Sequence, residues 1–383
     1  MIKKLLLTII LSFSFLFSQN YIDALSPFYG FKGSQSIGVG IGNATVAGGQ
    51  VIPEFTSNPA NLGLQRFRTF ELTYTSSEFK SSSNNLPQSS FGTFSFIYPI
   101  KVYRGSIVLA TSLEKEKEFA LSYQDVDDYG DAFKQRNEGK MKNWHFAVAS
   151  EIAENLFVGA DIIVPYGNFD ISREYPNVNP DTIGFTQNND YNGISATIGM
   201  FQRISKHLNW GISVDLPKKI NINEDFTYND GDNLGIRKYS STKPLTIHAG
   251  ASVLFKYFNL FYEAEWTDWK NMEFSSDDLY SSDVTDINEN IETNLSETIS
   301  HHFGGAIHVP FLPLHLYGGY QILPEPHSDE NRNVISGGFS YLVKQQISIH
   351  GAYQMYYWNY ETNNGSIIKE DWSQLLFGMS LHF

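Results

Sequence analysis

The sequence predicts an all-β protein: a 14-stranded antiparallel transmembrane β-barrel with an N-terminal plug. Three observations predict it. At the C-terminus, Phe383, Leu381, Met379, Phe377 and Leu375 alternate with His382, Ser380, Gly378 and Gln374, Leu376 being the exception. Successive side chains of a strand point to opposite faces, so this segment has one apolar and one polar face. Aromatic residues make up 15% of the 383 residues, with 29 Phe and 22 Tyr beside 30 Gly, yet no long uninterrupted apolar run follows residue 19. Aromatic girdles, glycine-bearing strands and polar loops produce that composition. The third observation is an alternation of short and long connections between the predicted strands.

Taken in order, Met1-Ile2-Lys3-Lys4 is a basic start, residues 5–17 are apolar, and Ser18-Gln19 offers a cleavage point. The apolar stretch is too short to span a bilayer, so residues 1–19 read as a secretory signal peptide. Loss of Lys3 and Lys4 with it would take the net charge from −14 to −16. Residues 20–66 hold Gly38-Val39-Gly40-Ile41-Gly42-Asn43-Ala44 and keep no sustained alternation, which fits a plug inside the barrel rather than more wall. The barrel occupies 67–383, with strands at 67–79, 91–101, 103–114, 141–152, 155–172, 191–204, 208–221, 244–256, 258–270, 297–309, 313–323, 333–343, 346–360 and 371–383. Many exceed the roughly 9–11 residues that a tilted strand needs to cross the hydrocarbon layer.

Every second connection is short: Val102, Ala153-Glu154, Ser205-Lys206-His207, Tyr257, Pro310-Phe311-Leu312 and Lys344-Gln345. The others, 80–90, 115–140, 173–190, 222–243, 271–296, 324–332 and 361–370, are long and polar. Short periplasmic turns opposite long outer loops are the topology of bacterial outer-membrane barrels. A soluble β-sandwich has no reason to keep it over seven hairpins.

Charged groups on a lipid face cost kcal/mol at mid-depth, so the polar register is the inner one. Leu208, Trp210, Ile212 and Val214 then face lipid, while Asn209, Gly211, Ser213 and Asp215 face the lumen. The same rule sends Asp161, His145, His308 and His315 inward, together with the candidate lumen-lining residues His248, Glu263, Glu265, His302 and His350. Lys and Arg look scarce in this lumen. Pro165 and Gly167 are a candidate kink in the fifth strand, since both residues interrupt ladders.

Before the first strand, Gly42-Asn43-Ala44-Thr45-Val46-Ala47 and Glu54-Phe55-Thr56-Ser57-Asn58-Pro59-Ala60-Asn61-Leu62-Gly63 resemble the hatch of FadL-like outer-membrane transporters. Glu265-Trp266-Thr267-Asp268-Trp269, Pro324 and Asp329-Glu330-Asn331-Arg332 add to the resemblance, which covers essentially the whole mature chain. The resemblance implies passive uptake of hydrophobic molecules, long-chain fatty acids or hydrocarbons, through a plugged lumen with lateral release into the bilayer. Asn58, Pro59 and Ala60 then form the hatch motif. Proline fixes φ and biases its predecessor to extended backbone, so a structural role is expected for Asn58. The polar loop 173–190 and acidic loop 271–296 depart from fatty-acid members and favour a neutral or weakly polar substrate. The alternative function is a PorV-like barrel that binds and shuttles secreted cargo proteins.

Other classes find little support. Cysteine is absent, which excludes disulfides, cysteine-based metal sites, thiol catalysis and a lipoprotein anchor. Acidic charge argues against nucleic acid. His301 and His302 are adjacent in a strand and point to opposite faces, so they form no dyad; no nucleophile motif accompanies them. No enzyme activity, cofactor or metal is expected. The expected surroundings are outer-membrane lipid and lipopolysaccharide, with the barrel-assembly machinery reading the C-terminal strand. A monomer is expected, because a closed barrel has no free strand edge.

Overall fold

The structure, a computed structural model, describes residues 24–28, 33, 35–49, 54–81, 84–126, 131–176, 184–328, 330–344, 346–361 and 367–383. The signal-peptide expectation at 1–19 lies outside the described residues. The chain forms one closed antiparallel barrel of 14 strands. They are β1 Thr69–Ser81, β2 Asn84–Ile100, β3 Ile107–Val126, β4 Ala132–Ala153, β5 Leu156–Glu174, β6 Phe185–Arg203, β7 Leu208–Asp215 continued by Lys218–Tyr228, and β8 Asn233–Lys243 continued by Thr246–Leu254. The ring continues with β9 Phe258–Asp268 and Glu273–Ser276, β10 Glu297–His308, β11 Leu314–Pro324, β12 Asn331–Lys344, β13 Ile347–Glu361 and β14 Ile367–His382. Closure is complete: β1 pairs with β14 from Thr69↔His382 to Ser81↔Glu370. Backbone bonds between Arg68 and Phe383, given in both directions, extend this pairing to the C-terminal residue. Among the described residues no helix is long and apolar enough to cross a membrane; every crossing is a strand.

The period of two fixes which side chains go where. Thr246, His248 and Ser252 of β8 are buried in the lumen, and Asn209 and Ser213 of β7 join them. Ile162, Ile198, Leu260, Phe303, Leu375 and Phe377 stand exposed on the outer face. In a soluble protein such a belt would be a liability; against lipid tails it costs nothing and leaves the backbone groups satisfied between strands.

The expected long outer loops are a correction. Strands β3 to β6 run 19–22 residues each, about twice the ~9–11 residues a crossing requires, so the wall projects past the membrane. Polar segments such as 115–126 and 132–140 are ladder, not loop. Within 132–140, Phe133 and Gln135 are buried while Lys134, Arg136 and Glu138 are exposed, so the outer face carries charge in place of the apolar period that marks a membrane strand. The 271–296 stretch instead holds a short strand and α2 Ser281–Asn294, whose Ile287 and Ile291 bury against Ala24, Leu25, Met272 and Phe274.

The described residues of 35–64 lie inside the ring. Helix α1 Ser36–Gly40 packs on β11–β13 and the 3-10 helix Pro59–Leu64 on β4–β6, opposite arcs of the wall. Room for this backbone comes from inward-facing glycines. A Cβ at Gly199 would sit 2.0 Å from Asn58 Oδ1, and one at Gly319 would sit 2.1 Å from the Gly42 nitrogen.

Candidate functional site

Between the N-terminal segment and the wall lies a cavity of about 260 Å³. One side is Glu114, Asn143, His145 and Ile163 of β3–β5; the other is Asp215, His248, Glu263, Glu265, His302 and Gln321 of β7–β11. Thr45, Glu54, Thr56 and Ser57 of the N-terminal segment form a third side. Lys218, Lys243, Trp269 and Arg332 line it from the outer extensions of the strands.

Two imidazole networks organise the walls. His145 Nδ1 lies 2.6 Å from Asp161 Oδ2, and its Nε2 lies 3.5 Å from Glu114 Oε2. Across the lumen, His248 sits between Glu263 Oε1 at 3.0 Å and Asp215 Oδ2 at 3.3 Å, with Glu265 Oε2 at 4.0 Å. Both His248 nitrogens face carboxylate oxygens, the arrangement of a doubly protonated ring. His302 donates from Nδ1 to the Gly42 carbonyl at 3.0 Å, tying β10 to the N-terminal segment. Glu54 meets several carboxylates here. Its enclosure in the lumen, then Glu114, Glu71 and Glu263 nearby, hold its carboxyl well above the usual range, since desolvation and like charge both disfavour the anion.

The N-terminal segment is held by side chains that satisfy its backbone. Glu263 Oε2 accepts from the Thr45 and Val46 nitrogens, both at 2.8 Å. Asn58 caps the Pro59–Leu64 helix by accepting from the Ala60 nitrogen at 3.0 Å, and donates to the Val46 and Met200 carbonyls at 2.8 and 3.1 Å. Proline suits the first helical position, where an N–H would lack a partner anyway. Ala60 is fully buried against Gly159, where a Cβ would come within 2.6 Å of its nitrogen. Asn58 thus joins the N-terminal segment to β6 through its side chain.

The cavity also touches a break in the wall ladder. The β7–β8 ladder pairs Asp215 with Thr246 and Lys218 with Lys243, in one register, and pairs nothing between. That register sets Pro217 opposite Pro244. Neither has an N–H to donate, so the rungs are lost. In β9 the Trp269–Asn271 3-10 turn interrupts the strand beside this seam. Leu216, Pro244 and Trp269 line the cavity from it. The seam lies eight residues beyond the turn at Leu208, about 20 Å along a tilted strand.

Four of the five expected lumen residues meet here: His248, Glu263, Glu265 and His302. His350 faces inward but lies apart, bonded to Ser340 and Ser380 hydroxyls. His308 and His315 pair with each other at 3.2 Å. Pro165 and Gly167 sit in a β5 whose ladder to β4 runs through both; on the β6 side Val164 and Pro165 lack partners. His301 faces outward to the Tyr262 hydroxyl at 2.9 Å.

The scarcity of lumenal cations is corrected. Lys115 is buried and bonds Thr75 at 2.6 Å and Glu118 at 2.9 Å; Lys218 binds Glu116; Arg332 reaches Glu325. Ending the third strand at residue 114 hid Lys115, and a bulge between Lys115 and Lys117 shifts the register that follows; Arg332 fell in the expected loop 324–332, and Lys218 lay inside the predicted seventh strand without being assigned to the lumen. The visible signal was the Glu114-Lys115-Glu116-Lys117-Glu118 alternation, since a water-exposed loop has no need to alternate charge. Among the described residues, no group of three or more His, Asp or Glu is placed to hold a metal.

A closed 14-strand ring, an occupied lumen and an apolar outer belt define a transmembrane β-barrel. A family model described as BamG matches residues 1–243, well over half the sequence, and the chain belongs to the BamG family. The fold is similar to a Pseudomonas aeruginosa FadL homologue (TM-score 0.65, 13% identity, 93% of this chain and 100% of that one). It is also similar to the Ralstonia pickettii toluene transporter TbuX (0.66, 14%, 92% and 98%) and the Pseudomonas putida toluene transporter TodX (0.62, 12%, 92% and 98%). No curated protein matches the sequence.

Proposed function

We infer that this protein is an outer-membrane barrel that admits hydrophobic molecules to its lumen and releases them sideways, with residues 20–66 as the hatch. One observation carries the reading: the lumenal cavity abuts the Pro217–Pro244 seam. A molecule leaving there passes from a partly apolar pocket to lipid without crossing the clamped N-terminal segment. No energy source is required, because an apolar solute gains about 25 cal/mol per Å² on leaving water. The fold shared with toluene transporters supports the same reading. The direct test is uptake of a fluorescent hydrophobic probe by proteoliposomes. Replacing both seam prolines by valine restores two ladder donors; uptake should fall while probe binding in detergent is kept. Undiminished uptake would remove the seam as the exit.

A second reading, a barrel that docks partner proteins, is favoured by the projecting wall of β3–β6. Arg173 bonds Gln135 and stacks on Phe133 and Phe185, while Glu224 takes Gln187 and Arg237. These contacts stiffen a polar surface outside the bilayer, and membership of the BamG family agrees with an assembly role. Cross-linking in intact cells through a photoreactive group at residue 137 tests it: a captured protein supports docking, and an uncrosslinked barrel opposes it.

A further inference from the structure

Away from the cavity, two imidazoles meet at the short-turn rim of the barrel. His308 of β10 and His315 of β11 are direct partners in the register, on the last rung before the turn 309–313. The alternation that buries Ala306 and Tyr317 turns both inward, and both stay half-buried, within reach of water at the rim. His308 Nδ1 lies 3.2 Å from His315 Nε2. The ring planes cross at 64° with centroids only 4.6 Å apart, closer than two rings meeting head-on at that nitrogen separation would be. An N–H···N bond prefers angles above about 150°, so this pair is poorly aligned for one. The other two histidines of the inner rim are answered by hydroxyls: His350 by Ser340 and Ser380, His382 by Thr69. His308 and His315 bond to no hydroxyl and no carboxylate among the described residues.

Two facing neutral imidazoles have two choices. One ring donates to the other, or each keeps its proton on the far nitrogen and the near nitrogens present two lone pairs. The far nitrogens, His308 Nε2 and His315 Nδ1, have no protein partner that would forbid the second choice. Two converging lone pairs repel unless a cation joins them. Nitrogens held at about 2.0–2.1 Å on one tetrahedral zinc stand about 3.3 Å apart, and the pair here stands at 3.2 Å. We propose that His308 and His315 bind one divalent transition-metal ion of the kind that prefers imidazole, zinc above all, with water completing its shell. The ion clips β10 to β11 beside their turn. With only two protein ligands it exchanges with the surroundings, so the rung tightens or loosens with the free metal concentration. The site stands apart from the lumenal carboxylates and does not depend on what passes through the lumen. The seven-residue spacing of the two histidines shows a common face at most; the β10–β11 register is what brings them together.

Calorimetric titration of the full chain, carrying no polyhistidine tag, with zinc and with magnesium in mild detergent tests the proposal. The pH is set just above neutral, where free imidazole is uncharged. Zinc should bind at one ion per chain, and magnesium, which keeps to oxygen ligands, should not. His308→Ala and His315→Ala should each weaken zinc binding about tenfold or more, at least the loss that follows removal of a mere outer-shell partner. His350→Ala should leave it unchanged. X-ray absorption by the zinc-loaded wild type needs no variant and so survives a folding defect in either. It should show two imidazole nitrogens at about 2.0–2.1 Å, with oxygens filling the remaining positions. Zinc bound no better than magnesium overturns the proposal. Zinc held equally well by both alanine variants places the ion on the lumenal carboxylates and overturns this site. A spectrum with fewer or more than two imidazoles does the same.

Discussion

Glu263 holds two consecutive backbone nitrogens with one oxygen and His248 with the other. Removing it leaves Thr45 and Val46 with buried donors and His248 with one carboxylate fewer. Glu263→Ala should therefore cost about 3–5 kcal/mol, the range for breaking a buried charged pair, and Glu263→Gln less, since one acceptor survives. Limited proteolysis of residues 35–64 and the thermal midpoint would show it; equal resistance to protease would mean that the glycine seats alone hold the segment. Glu54 makes the same region sensitive to pH. Its folded-state pKa is raised, by burial first and by Glu114, Glu71 and Glu263 next. The folded protein then keeps a proton that the unfolded chain releases in the ordinary carboxylate range. Its stability contribution is present below the unfolded pKa and is lost as pH rises through the folded value. Midpoints measured over rising pH should fall in the wild type and flatten in Glu54→Gln, which carries the neutral form permanently.

At the scale of elements, the glycines and prolines of the wall do opposite things. Gly199 and Gly319 let the N-terminal backbone approach the strands, and a valine there must displace Asn58 or Gly42. Gly199→Val should cost about 1–3 kcal/mol, as overpacking does, and should free the segment without opening the ring, readable as new protease cuts in residues 54–64 alone. The strands were legible because lipid on one side and water on the other impose a period of two. All fourteen were placed from that period, and His248, Glu263, Glu265 and His302 were set inward by it. Legibility ended where lipid does. Beyond the bilayer Lys115, Glu116 and Arg332 alternate with nothing apolar, so the outer wall read as loops and the lumenal cations were missed. Pro217 and Pro244 fell inside or beside predicted strands, but their opposition depends on a register between β7 and β8 that no single segment reveals. Pro165, the proline that drew notice instead, keeps its β4 ladder.

For the whole molecule, the question is what a fourteen-strand ring does with its lumen. Barrels of about eight strands fill themselves with side chains, and larger ones admit water unless something occupies them. Here the described residues of 35–64 pack on opposite arcs of the wall and line a pocket of about 260 Å³. The intact protein in a planar bilayer should therefore show no steady ion conductance. Deleting residues 35–64 should open an ohmic pore, because the closing bonds between β1 and β14 and every strand ladder are independent of that segment. The charged lining would then face a water column, and its carboxylates should make the open pore favour cations, a selectivity measurable as the reversal potential in a salt gradient. Two results would count against this architecture: steady conductance in the intact protein would mean that the segment does not seal the ring, and an anion-selective pore after deletion would mean that Lys218, Lys243 and Arg332 dominate the lumen field. The deleted barrel should still migrate as a folded species before heating, since what is removed occupies the lumen and contributes no rung to the wall.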